Sequence, residues 1–162
     1  MIKSKRHLAA VWILAFIAII GFDLFLHAGV LNRLYLNSGS FLLSSEEAFR
    51  RIPAGYLSFA IFETLVLWLM FKLEIQGWKA GLAFGLIFGA LVWGSLVLGL
   101  FSISTASPAL LLGWFLGQTA ESGIGGMVIG AGLWNERLRP LLFKVLIFFL
   151  IMVTLGIVIQ NL

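Results

Sequence analysis

The sequence predicts an all-α protein, a polytopic membrane helical bundle, from three observations. Hydrophobic residues make up 61% of the 162 positions and charged residues only 11%, whereas soluble domains are about half apolar and a quarter charged. The mean hydropathy is +1.08. Apolar runs long enough to cross a bilayer as helices alternate with short polar connections. We therefore expect a single transmembrane domain over residues 1–162.

Five apolar runs give the expected transmembrane helices, at about 8–31, 54–71, 80–101, 109–134 and 141–159. The first follows a basic segment but is longer than the apolar core of a signal peptide, so we interpret it as an uncleaved helix. In the next connection, Ser44 and Glu47 have the spacing of a capping box. This pattern predicts a short interfacial helix in the first external loop, ended by Pro53. An ordinary structured loop is the alternative.

Glycine spacing indicates how two of these helices pack. Gly81, Gly85 and Gly89 in the third run are four residues apart, which lets another helix approach its backbone closely. In the fourth run, a helical wheel places polar and small residues on one face: Gly117, Gln118, Glu121, Gly125 and Gly132. The opposite face carries further glycines: Gly123, Gly126 and Gly130. We expect this helix to lie between neighbours, whereas the almost uniformly apolar fifth run, in which only Lys144 and Thr154 are polar, faces lipid or a partner subunit.

The distribution of basic residues predicts the orientation. Lys and Arg concentrate in cytoplasmic connections. With the N-terminus inside, eight of the 11 basic residues fall on the cytoplasmic side, and only Arg33, Arg50 and Arg51 lie outside. We therefore expect an inner (plasma) membrane protein with a cytoplasmic N-terminus and an external C-terminus. Because the basic residues sit at the ends of apolar runs, the net charge of +4 does not indicate a nucleic-acid partner.

Three of the expected spans carry an acid: Asp23, Glu63 and Glu121. Each costs roughly 2.5–3.5 kcal/mol at the centre of a membrane helix. At the helical rise per residue, all three fall between the outer interface and the membrane midplane, so they are able to meet. An acid inside the membrane indicates a functional site, although polar residues also join helices structurally.

Further polar residues share the faces of these acids. His27 follows Asp23 by four residues, Tyr56 precedes Glu63 by seven, and Gln118 precedes Glu121 by three. The predicted site for a ligand or ion is therefore Asp23, His27, Tyr56, Glu63, Gln118 and Glu121. Arg33, Arg50 and Arg51 are expected near its outward-facing mouth.

A divalent metal is one possible occupant of this site. Its ligands would be Asp23, His27, Glu63 and Glu121, which offer oxygen and nitrogen to Zn²⁺, Mn²⁺ or Fe²⁺. The sequence has no cysteine, no H-E-x-x-H motif, no G-x-S-x-G motif and no Walker loop. No cofactor is required by any motif, so the metal remains an alternative.

Part of the first expected span resembles a known group of proteins. The pattern Phe22-Asp23-x-x-x-His27-Ala28-x-x-Leu31-x-x-x-Tyr35 is similar to one in small bacterial inner-membrane proteins of unknown function. The resemblance covers about 14 of 162 residues and implies a bacterial inner-membrane protein. It implies no activity.

These observations support three functional hypotheses. The first is a protein that binds or moves a small cation, a proton or a lipophilic amine through an outward-facing acidic pocket. The second is an enzyme whose metal activates water against a lipid-borne substrate. In the third, the protein is an accessory subunit, or a homo-oligomer, that docks through its glycine rows and its apolar fifth span.

Overall fold

Every regular element that the structure describes is a helix. The computed structural model describes residues 3–36 and 42–162. The six α-helices are α1 (Lys5–Asp23), α2 (Asn32–Leu36), α3 (Ser45–Lys72), α4 (Trp78–Ile103), α5 (Pro108–Trp134) and α6 (Arg139–Gln160). A π-helical segment, Leu24–Val30, continues α1. The expected all-α class is confirmed, whereas residues 37–41 of the expected external loop lie outside the described residues.

Within the described residues, four helical stretches are long and apolar enough to cross a membrane. They are Lys5–Val30, Glu46–Lys72, Trp78–Ile103 and Arg139–Gln160. The fourth expected span corresponds to α5, which is long enough at 27 residues. It is not one of the four, because its glycines and polar residues lower its mean hydropathy. Any membrane crossing by α5 therefore depends on how the other helices enclose it.

The first expected span is not a uniform α-helix. Ser4 caps its start, since the Ser4 side chain accepts a hydrogen bond from the His7 amide. From Leu24 the backbone widens into the π-helical segment, where the Leu31 amide donates to the Leu26 carbonyl five residues earlier, at 2.8 Å. Such π-helical turns are rare and occur frequently at functional sites. Here the segment contains His27.

The expected interfacial helix is not a separate element. Ser44 caps a helix as predicted, since its hydroxyl accepts from the Glu47 amide at 3.3 Å. However, that helix is α3, which continues through Pro53 to Lys72. The expectation that Pro53 ends a helix is thus wrong. A proline inside a helix removes one backbone hydrogen bond and kinks or breaks the helix, and here α3 continues beyond it.

Helix α5 lies at the centre of the bundle, between α4 on one face and α1 and α3 on the other. On the α4 face, a Cβ atom at Gly81 would lie 2.1 Å from the carbonyl oxygen of Gly126. One at Gly85 would lie 2.2 Å from the carbonyl oxygen of Ser122. Only glycine allows backbones to approach so closely. The expected close approach of another helix to the glycine row of α4 is confirmed, and that helix is α5.

At the end of the bundle where α1 begins and α5 ends, the interior is apolar. We call this region the apolar half. Its buried residues come from α1, α3, α5 and α6: Val11, Leu14, Ala15, Ala18, Val66, Met70, Val128, Ile129, Leu133 and Val145. At the other end, where the π-helical segment meets the start of α5, polar side chains enter the interior. These polar side chains form the candidate site.

Candidate functional site: a buried carboxylate and histidine cluster

The two polar side chains of α5 lie on the face that turns away from α4. Gln118 is 4% exposed and Glu121 is 3% exposed. Glycines on the same face let neighbouring elements enclose them. A Cβ atom at Gly117 would lie 2.3 Å from a methyl carbon of Leu26, and one at Gly125 would lie 2.9 Å from a Glu63 oxygen. The helical-wheel assignment of the polar face is confirmed.

His27 links the π-helical segment to α5 and α2. Its Nε2 lies 3.0 Å from Gln118 Nε2 and 3.4 Å from Asp23 Oδ1. Its Nδ1 forms a hydrogen bond with the Tyr35 hydroxyl. That hydroxyl also accepts a hydrogen bond from Trp114 Nε1, at 2.8 Å. The imidazole is therefore held on both of its nitrogens.

These hydrogen bonds select one tautomer of the imidazole. With the Gln118 amide as oriented, its N–H donates to Nε2, so Nε2 carries a lone pair and the ring proton is on Nδ1. Nδ1–H then donates to the Tyr35 oxygen. In this tautomer the lone pair of His27 points toward Asp23 and α5. An uncharged imidazole in this state is a competent metal ligand.

One ligand atom from each of Asp23, His27 and Glu121 lies within 4.8 Å of the other two. We call these three residues the triad. Both oxygens of Glu121 are buried and have no hydrogen-bond partner among the described residues. Gln118 lies beside this carboxylate, but its amide nitrogen forms its hydrogen bond with His27 Nε2. Buried polar groups normally have partners, so the Glu121 carboxylate is an exception that needs an explanation.

Glu63 lies next to the triad but does not belong to it. Its side chain is 0% exposed, and its carboxylate lies against Gly125 of α5, where Ile19 of α1 also packs. Neither of its oxygens has a hydrogen-bond partner among the described residues. It lies within electrostatic reach of Glu121. The structure thus brings three of the four expected metal ligands together and leaves the fourth, Glu63, nearby.

The other residues of the expected site are farther from the hydrogen-bond network. Tyr56 is half-buried and lies within electrostatic reach of Asp23 and Glu121, but none of the hydrogen bonds around His27 involves it. Arg50 forms an exposed ion pair with Glu46 at 2.7 Å, one helical turn away. The Arg50 guanidinium is therefore paired with a residue of its own helix. This pairing does not support the expected role of Arg50 at the mouth of the site.

Two members of the network were absent from the expected site: Tyr35 and Trp114. Trp114 precedes Gln118 by one helical turn, a spacing that could have indicated it. Tyr35 follows the π-helical segment, whose geometry is not apparent in the sequence. Burial raises the pKa of the Tyr35 hydroxyl to about 12, the hydrogen bond from Trp114 opposes this rise, and the negative charges of Asp23 and Glu121 add to it. The hydroxyl therefore stays protonated at neutral pH and acts through hydrogen bonds.

The chain was compared with models of protein families, with curated proteins and with solved structures, and no match was found. The geometry of the site is therefore the basis on which its function is inferred.

Proposed function

We propose that this protein is a polytopic membrane protein that binds a divalent transition-metal cation at the triad. The observation that carries this proposal is the convergence of the three ligand atoms within 4.8 Å around a carboxylate, that of Glu121, which has no hydrogen-bond partner among the described residues. Two carboxylates and one imidazole are a ligand set suited to Zn²⁺, Mn²⁺ or Fe²⁺.

The arrangement differs from what a structural polar contact between helices requires. Polar residues that join membrane helices do so by hydrogen-bonding across the interface. Gln118 and His27 fit that description, since they are 3.0 Å apart. Glu121 does not, because neither of its oxygens has a partner among the described residues. A bound cation would neutralise both carboxylates of the triad and offset the cost of burying them.

The surroundings of His27 also support metal binding. A histidine that binds a metal through one ring nitrogen usually donates a hydrogen bond from the other, which fixes the tautomer and the ring orientation. Tyr35 accepts this bond from Nδ1, and Trp114 holds Tyr35 in turn. Gln118 donates a hydrogen bond to Nε2. A metal would take the place of that donor.

The proposal includes α5 as a fifth membrane span. This helix runs antiparallel to α4 along its length, from Phe115 beside Gly94 to Gly130 beside Gly77. Its polar side chains turn toward α1, α3 and the π-helical segment, as ionisable groups inside membranes usually turn toward the bundle interior. With the N-terminus cytoplasmic, as the basic residues indicate, the triad lies in the outer half of a bacterial inner membrane.

Binding from one side fits the packing better than an open channel does. Beyond Glu63 the interior is the apolar half, whose side chains fill the space between α1, α3 and α5. A hydrated cation would meet no polar group of that cluster. We therefore propose a site that loads and releases its cation from the polar end.

Three protein ligands with an open fourth position are also the arrangement of catalytic zinc sites. An enzyme acting on a lipid-borne substrate, through metal-activated water, is thus the second candidate. A proton or a lipophilic amine would need the acids but would not need the Nε2 lone pair of His27. Variants of His27 separate these possibilities.

The test is metal binding by purified protein in mild detergent, after removal of metal with a chelator. Elemental analysis and calorimetric titration with Zn²⁺, Mn²⁺ and Fe²⁺ are expected to give one ion per chain. Loss of one ligand should weaken binding by more than the roughly 10–100-fold typical of outer-shell changes, so Asp23→Asn, His27→Gln and Glu121→Gln should all do so. Glu46→Gln, at an exposed ion pair, is the control.

Two results would contradict the proposal. One is the absence of stoichiometric metal under all three titrations. The other is binding that Glu121→Gln leaves unchanged. If an organic amine binds in a way that depends on Asp23 and Glu121 but not on His27, the occupant is an organic cation and the metal assignment is wrong.

A further inference from the structure

A groove of about 520 Å³ runs between α5 and α6, away from the triad. It exists because α6 packs mainly on α1 and the π-helical segment, which leaves the side of α5 nearest α6 largely uncovered. Ala18 of α1 contributes to its lining, together with Val128 and Ala131 of α5 and Phe148 of α6. Its volume lies within the range of small-molecule sites, about 300–1,000 Å³.

One part of the groove is basic. Arg137 and Lys144 both line it, both are exposed, and no acidic residue is among the described residues that line it. The first turn of α6 adds to this positive character. That helix has no side-chain cap among the described residues, and the positive end of its dipole favours an anion there. The groove therefore combines apolar walls with a positively charged rim.

We propose that this groove binds an anionic phospholipid, with an acyl chain along the apolar walls and the phosphate at Arg137 and Lys144. A single amphiphilic molecule matches both parts of the groove, whereas a free anion would leave the walls uncovered and an uncharged lipid would leave the rim unpaired. Basic pockets between membrane helices at the cytoplasmic side bind anionic headgroups in this way. Trp78 also lines the groove, and tryptophans are enriched at membrane interfaces.

The lipid site and the metal site are independent. The groove opens beside the apolar half, where α5 ends and α6 begins, and none of its lining residues belongs to the triad or its hydrogen-bond network. In the proposed orientation the groove faces the cytoplasmic leaflet. Failure of one proposal would leave the other intact, since they rest on different residues and are tested with different ligands.

The experiment measures lipid binding to the full chain by native mass spectrometry in detergent, with phosphatidylglycerol, phosphatidylcholine and inorganic phosphate as probes. Phosphatidylglycerol is expected to bind most tightly. Each basic residue near an anionic headgroup contributes about a fivefold factor in affinity. Neutralising Arg137 and Lys144 together should thus weaken phosphatidylglycerol binding roughly 30-fold. Arg139→Gln, at a neighbouring basic residue that does not line the groove, is the matched control.

A second variant tests the apolar walls. Ala131→Phe places a ring in the groove and should displace phosphatidylglycerol while leaving weak binding of inorganic phosphate unchanged. Equal binding of phosphatidylcholine and phosphatidylglycerol would overturn the proposal. So would an Arg139→Gln effect as large as that of Arg137→Gln, because general surface charge would then explain the binding. Should Ala131→Phe fail to fold, the exposed Arg137 and Lys144 variants still decide the question.

Discussion

The two faces of α5 pack against their neighbours in different ways. The face toward α4 has backbone against backbone, so that a Cβ atom at Gly126 would lie 2.4 Å from the Gly81 carbonyl oxygen. The face toward α1 and α3 holds buried side chains, among them Gln118 and Glu121. Both faces contain glycine, but glycine shortens the distance between helices on the first and makes room for neighbouring side chains on the second.

This difference indicates that one face of α5 stabilises the bundle and the other carries the candidate site. The α4 face is closely packed. It also includes a direct backbone hydrogen bond from the Gly77 amide to the Gly130 carbonyl at 2.8 Å. The other face carries Glu121 and packs against Glu63 of α3, and neither of these buried acids has a hydrogen-bond partner among the described residues. A protein retains such groups at a cost in stability, and functional sites are where that cost is usually found.

The largest effect is expected at the α4 face. Gly85→Leu would place a Cβ atom 2.2 Å from the Ser122 carbonyl oxygen. The backbone at Ser122 cannot move aside as a flexible side chain can. We expect the free energy of unfolding to fall by about 3 kcal/mol or more, the upper range for overpacking. This would be seen as a fall of roughly 6–12 °C in Tm. The control is Gly99→Leu on the same helix, where a Cβ atom meets nothing within 4 Å. Equal Tm values for the two variants would refute the close contact.

A smaller effect is expected on the polar face, at Tyr35. Tyr35→Phe removes the hydroxyl that His27 Nδ1 and Trp114 Nε1 share. Loss of such a support typically lowers metal affinity about 10–100-fold and protein stability by only about 1 kcal/mol. Calorimetric titration and thermal unfolding measure the two quantities. Tyr56→Phe serves as the comparison variant, and an equal loss of metal affinity there would show that the network around His27 is not what supports the site.

The smallest effect, and one of opposite sign, is expected at Glu63. Glu63→Met replaces a fully buried acid that has no described hydrogen-bond partner with an apolar side chain of similar length. Replacing buried ionic groups by apolar ones is often neutral or stabilising. We therefore expect the free energy of unfolding to rise by about 1 kcal/mol, which corresponds to roughly 2–4 °C in Tm. Metal affinity should change only a few-fold, since Glu63 is outside the triad. A clear loss of stability would mean that Glu63 holds α3 to α5.

Composition and periodicity predicted the class of fold and the two faces of α5, because both depend on hydrophobicity and on the repeat of the α-helix. The glycine row at Gly81, Gly85 and Gly89 also predicted the close approach of another helix, but not which helix it would be. The boundary expected at Pro53 was wrong, since a proline disfavours a helix interior but does not always end the helix, and α3 continues to Lys72. Tyr35 was not in the expected site because its position depends on a departure from α-helical geometry.

The π-helical segment has a consequence for the register of the first span against α5. Leu26 and Leu31 both pack on α5, against Gly117 and Gly113 respectively. In an α-helix, residues five apart point about 140° away from each other, so only one of the pair would reach α5. With five-residue hydrogen bonding, the two residues are a turn apart on one side. The segment thus acts as a one-residue insertion, and the length of this stretch, as much as its residue types, determines which side chains meet α5.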